Sequence, residues 1–138
     1  MKKLFANYTT DTRSSLALLL LRLILGLAMA LHGWPKIQNP TSWAGEGFPA
    51  FLQALAAISE FGGGIAWIAG ALIPLVSFGL LCTMAVAVHM HMIIKGDPFV
   101  GKEGSYELAL IYLTFSVALL IVGPGKYSID QLFFKSKK

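Results

Sequence analysis

Four apolar stretches, each long enough to cross a hydrocarbon layer, dominate this chain. A helix rises 1.5 Å per residue, so about 20 apolar residues span the roughly 30 Å core of a bilayer. The pattern predicts spans at about 15–33, 51–73, 75–94 and 105–122. Composition points the same way: of 138 residues, 56% are hydrophobic and 13% charged. A soluble domain carries about twice that charge. Such a chain cannot cover its surface with polar groups, which excludes disorder and argues against a cytosolic domain. Inside lipid every backbone N–H and C=O must be paired within the protein. The expected fold is therefore all-α, a transmembrane four-helix bundle forming a single domain over residues 1–138.

The connections carry their own signals. Trp34-Pro35 is expected to end the first span, because proline has no amide to donate. The loop from Lys36 to Pro49 is rich in Gly, Pro and Trp and suits the membrane interface. Pro74 marks a tight turn, Lys95–Gly104 is polar, and Gly123-Pro124-Gly125 stops the fourth span. Beyond it, Ser128-Ile129-Asp130-Gln131 reads as a capping box opening a short C-terminal interfacial helix, with Asp130 at its positive end. Leu132, Phe133 and Phe134 would dip into the interface while Lys135, Lys137 and Lys138 meet headgroups. Lys2, Lys3 and the apolar run from Leu16 outwardly resemble a cleavable signal. Arg22 interrupts that run and further spans follow, so it reads as a retained first span.

The net charge of +4 is not spread as a nucleic-acid binder would spread it. Outside the spans, seven Lys or Arg lie on the side of the termini (2, 3, 13, 126, 135, 137, 138) and three in the opposite loops (36, 95, 102). The positive-inside bias predicts a membrane protein with both termini cytoplasmic, its partner a lipid bilayer and not a nucleic acid. Cys82 is the one cysteine, so the chain holds no intrachain disulfide, zinc-thiolate cage or CxxC pair. That excludes the small four-helix thiol oxidases, and Cys82 itself reads as an inert small apolar residue.

A charge at mid-bilayer costs about 3 kcal/mol, so each one asks for a reason. Arg22, Gly26, Met29, Gly33 and Lys36 share one stripe of the first helix; Gln53, Ala56, Glu60, Gly64 and Trp67 share one of the second. Small residues beside a charge suit close helix contact, and the expectation is an Arg22–Glu60 intramembrane pair. It would either lock two helices together or form the charged floor of a polar pocket. Nearer the loop side lie His32, His89, His91 and Glu107. Three readings fit them: solvated groups at helix ends, a site for a quinone headgroup, or haem or metal ligands. His89 and His91 differ by 200° around a helix, so they cannot share one pocket and no metal set is assigned. His89, on a stripe with Phe78, Cys82 and Ala85, is the one expected to face inward.

Over about residues 15–132 the chain resembles the DoxX family. The resemblance rests on Arg22 in span one, the His32-Gly33-Trp34-Pro35-Lys36 exit, Glu60 with Gly63-Gly64 and Gly70, and the run His89–Asp97. It extends through Tyr106-Glu107-Leu108 and the Gly123–Asp130 ending. It implies a four-helix membrane bundle and a link to membrane redox complexes, the family taking its name from a subunit of a thiosulfate:quinone oxidoreductase. Distant animal relatives act as assembly chaperones for receptors. The pocket candidates are Arg22, His32, Lys36, Glu60, His89 and Glu107, with quinone as the expected cofactor and haem as the alternative. The preferred reading is the membrane subunit of a quinone-linked redox system, working with a partner subunit or as a homo-oligomer. A non-catalytic anchor or assembly factor and a small haem-binding protein stay open beside it.

Overall fold

The computed structural model describes residues 11–134. The basic ends, Lys2 and Lys3 and the cluster Lys135, Lys137 and Lys138, lie outside the described residues. Five helices follow in order: α1 Thr12–Gln38, α2 Ala50–Ala69, α3 Ile73–His89, α4 Glu107–Val122 and a short α5 Ile129–Phe134. One π-helical segment, Met90–Ile94, prolongs α3. α1, α2 and α3 with its extension are long and apolar enough to cross a membrane, and α4 is apolar but shorter. No strand occurs among the described residues. The architecture is thus an all-α helical membrane bundle with a short terminal helix.

Local chemistry sets the ends. Asp11 caps α1, accepting from the amides of Arg13 at 2.8 Å and Ser14 at 3.0 Å. The Ser14 hydroxyl at 2.6 Å is the main reason its carboxyl lies below the ordinary carboxylate value. Pro35 does not end α1, contrary to the sequence expectation; the helix runs on to Gln38. A proline removes its own amide bond and no other, and the last turn is held by Asn39 donating to the Lys36 carbonyl and by Lys36 itself. Gly70, at φ 68°, closes α2 in a Schellman turn, with Ala71 N bonding Ala66 O and Gly70 N bonding Trp67 O. α3 begins at Ile73, with Pro74 in its first turn where the missing amide costs nothing.

The helices pack α1 on α2, α2 on α3, and α3 on α4. The predicted stripes are the buried faces: Arg22, Met29, Gln53, Glu60 and Trp67 are all nearly inaccessible. Glycines set the closest contact. A Cβ on Gly33 would collide with the backbone of Phe61 and Glu60, and one on Gly64 with the backbone of Ala30 and Gly26. Between α2, α3 and α4, Trp67 donates to Ser77 Oγ at 3.0 Å and meets the Phe115 ring edge-on at 4.9 Å. Large apolar side chains such as Ile24, Phe51, Leu75 and Ile121 point outward, as lipid contact requires.

Candidate functional site

The polar groups separate into two sites at opposite ends of the bundle. At the end that carries the termini, Arg22 is buried and donates from Nη1 to the Pro124 carbonyl and from Nη2 to the Tyr127 carbonyl, both at 2.6 Å. Asp130, also buried, accepts from the amides of Leu72 at 2.7 Å and Ile73 at 2.8 Å. It therefore caps α3 and not its own helix α5. It sits at the positive end of α3 and stabilises Leu72 in a left-handed turn at φ 52°. Ser128 closes the same knot, donating to Gly125 O and accepting from Gln131 N. These residues tie α1, α3 and the C-terminal segment together.

The expected Arg22–Glu60 pair does not form. The glycine contacts set Gly33 level with Glu60 and Gly70 level with Arg22. In this antiparallel register Arg22 lies some eleven residues, about 16 Å, from the level of Glu60. Glu60 takes Lys36 instead: Nζ lies 2.6 Å from Oε1. The same ammonium stands 4.3 Å from the centroid of the Trp43 ring, a cation–π contact. Trp43 in turn donates from Nε1 to the Gln53 carbonyl at 2.9 Å. The buried Gln53 side chain accepts from Ala44 N and donates to Gly45 O and Phe48 O, pinning the loop between α1 and α2 over this pair.

Lys36 and Glu60 stand at the inner end of a cavity of about 540 Å³ between α2 and α3, which extends past Trp43 to Lys95. Its walls include Leu52, Leu55 and Val86. Those three side chains are also about half exposed on the outer faces of their helices, so the cavity opens sideways to lipid. On the α3 side the lining runs Thr83, Ala87 and His91 at four-residue spacing, beside Cys82, Val86 and Met90. His91, and not His89, faces the cavity, and its Nδ1 lies 2.6 Å from Asp97 Oδ2. The inward assignment of His89 is thereby corrected. Cys82 sits at the edge of the lining stripe, and a stripe extrapolated from it passes the cavity by. His91 rides on the π-helical turn closed by Lys95 N to Met90 O, a distortion frequent at functional sites.

Of the six candidates the cavity takes Lys36 and Glu60. Arg22 belongs to the knot at the other end; His89 is exposed; His32 stands edge-on to Tyr112 at 6.2 Å; Glu107 opens α4 away from the cavity lining. No group of three His, Cys, Asp or Glu is placed to hold a metal among the described residues. Sequence reasoning missed Trp43, Gln53, Cys82 and Asp97 as contributors. The signal for Gln53 was present, since it shares the Glu60 stripe at i−7.

A polar pair at the end of a lipid-open apolar cavity suits an amphiphile with an oxygen-bearing head. The pair offers both an ammonium donor and a carboxylate acceptor. Comparison with known proteins is consistent with a membrane setting. The DoxX family model matches residues 17–93. The chain is 32% identical to "Inner membrane protein YqjF" of Escherichia coli over 131 residues, covering 85% of this chain and 92% of that protein. It is 30% identical to "Putative oxidoreductase CatD" of Bacillus subtilis over 132 residues, covering 87% and 89% respectively. No solved structure gives a significant match.

Proposed function

This chain belongs to the DoxX family, and on that premise we propose that it is the membrane subunit of a quinone-linked redox system in a bacterial inner membrane. The observation that carries this reading is the Lys36–Glu60 pair at the inner end of a cavity open to lipid. A quinone supplies two-electron, two-proton chemistry and dissolves in the bilayer, so it reaches such a cavity sideways without crossing water. About 540 Å³ lies within the range of small-molecule sites and accommodates a substituted ring with the start of its tail. The apolar walls at Leu52, Leu55 and Val86 suit the tail.

Each polar residue then has a task. Lys36 donates to a ring oxygen and offsets the negative charge that builds there on reduction. Glu60 keeps the ammonium placed, and the Trp43 face does the same from the other side. The His91–Asp97 pair at the cavity wall can take up or release a proton, with the carboxylate orienting the imidazole. Electrons come from a partner subunit. The names of the two relatives, "Inner membrane protein YqjF" and "Putative oxidoreductase CatD", support this reading.

Mass spectrometry of lipids co-purifying in mild detergent tests it. The wild-type protein should carry quinone near one per chain, and Lys36→Met should lower that about tenfold per folded chain, with some loss of thermal stability because the buried Glu60 carboxylate loses its counter-charge. A wild-type quinone content no higher than that of the surrounding membrane lipid overturns the reading and moves it to an anchor or assembly role.

A further inference from the structure

The hydrogen-bonding groups at the inner end of the cavity, away from His91 and Lys95 at its mouth, bear on which redox state of such a ligand that end holds. A quinone ring offers carbonyl oxygens, which accept and cannot donate. Its dihydroxy form offers hydroxyls that do both. Gln53 has both side-chain N–H groups spent on Gly45 O and Phe48 O, and its oxygen already accepts from Ala44 N, so it has no hydrogen to offer a ligand. The Thr83 hydroxyl gives its hydrogen to Gly79 O at 3.0 Å, so toward the cavity it can only accept. Glu60 receives Lys36 at Oε1, and no described residue donates to Oε2. Lys36 spends one N–H on Glu60 and retains others. The inner end therefore presents one donor group, Lys36, beside two acceptors that lack donors, Glu60 Oε2 and Thr83 Oγ1.

Resting on the quinone-site reading above, we infer that this cavity selects the reduced, dihydroxy form of its ligand over the oxidised form. A ring hydroxyl accepts from Lys36 and donates to Glu60 Oε2, satisfying both at once. A carbonyl in the same place accepts from Lys36 but turns a lone pair toward the carboxylate and shields it from any donor. Glu60 faces the cavity, and covering its free carboxylate oxygen with a group that cannot donate costs more than the bond from Lys36 gains. Sites built to bond a hydroxyl reject analogues that lack it for this reason. The selectivity is a property of function, because tighter hold on the reduced form makes the bound quinone a stronger electron acceptor by linkage. A tenfold preference corresponds to about 30 mV for a two-electron couple.

The test uses the full-length protein in lipid nanodiscs with three probes: decylubiquinone, its quinol, and the quinol dimethyl ether, a redox-inert ring with no donor. Binding is read from quenching of tryptophan fluorescence, taking the part lost in Trp43→Phe. The quinol should bind about tenfold tighter than the quinone, and the dimethyl ether should bind like the quinone. Glu60→Gln should bring quinol and quinone to within about twofold. Quinone bound as tightly as quinol, or ether as tightly as quinol, overturns the inference while the quinone site stands. No binding of any probe overturns both. The wild-type comparison decides the matter even where Glu60→Gln fails to fold.

Discussion

Arg22 and Lys36 lie about four turns apart on one helix and do different work. Arg22 is enclosed and donates to two backbone carbonyls, Pro124 and Tyr127. Replacing it with Met removes the donor to both carbonyls and the positive charge near the buried Asp130, which keeps only its bonds from the Leu72 and Ile73 amides. The expected loss is about 3 kcal/mol, read as a fall in melting temperature in detergent, with Arg22→Lys recovering part of it. Quinone content per folded chain should stay unchanged, since the cavity lies at the other end. Lys36→Met should also cost stability, since it leaves the Glu60 carboxylate unpaired, but unlike Arg22→Met it should lower the quinone content per folded chain as well. That Arg22 is buried was legible from its stripe of glycines and methionine. Its partner was not legible, because pairing depends on the stagger of two antiparallel helices, and a stagger leaves no mark in periodicity. The assumption that Pro35 closed the first helix also hid the reach of Lys36 toward Glu60.

Stagger is set at the scale of elements by backbone contact. α1 and α2 meet where Gly33, Gly26 and Gly64 leave no room for a side chain. At Gly33 and Gly64 the atoms a Cβ would strike are backbone atoms, which cannot turn aside as a flexible side chain can. Gly64→Val should force the helices apart and carry Glu60 away from Lys36. The expected result is a loss of about 3 kcal/mol or more in stability together with loss of bound quinone. Gly62→Ala is the matched control, since a Cβ there meets nothing, and it should melt like wild type. The helices, their order and the Gly-Pro-Gly stop were all readable as runs and breakers. The capping of α3 by Asp130 was not. Leu72 and Asp130 are distant in sequence, and Ser128 and Gln131 supplied a sufficient local reason to assign Asp130 to its own helix.

At the scale of the whole molecule the two polar sites have different exposure to the membrane. The knot of Arg22 and Asp130 lies at the end bearing the termini, and the cavity runs toward the loops at 39–49 and 95–106. Under the proposed function, which way the bundle stands decides the side on which the His91–Asp97 pair would take up or release a proton. The basic residues outside the helices favour the terminal side by seven to three. Basic flanks are retained in the cytoplasm, so the cavity mouth should face outward. A green fluorescent protein fused after Lys138 should fluoresce in cells, and alkaline phosphatase inserted between Gly101 and Lys102 should be active. A dark fusion with an inactive phosphatase insertion would reverse the orientation. Proton exchange at His91 would then occur with the cytoplasm, and reduction of a bound quinone would consume protons from that side. Under the expected orientation the same step would draw its protons from outside, so on the proposed function the measured topology would also fix which compartment's pH a bound quinone senses.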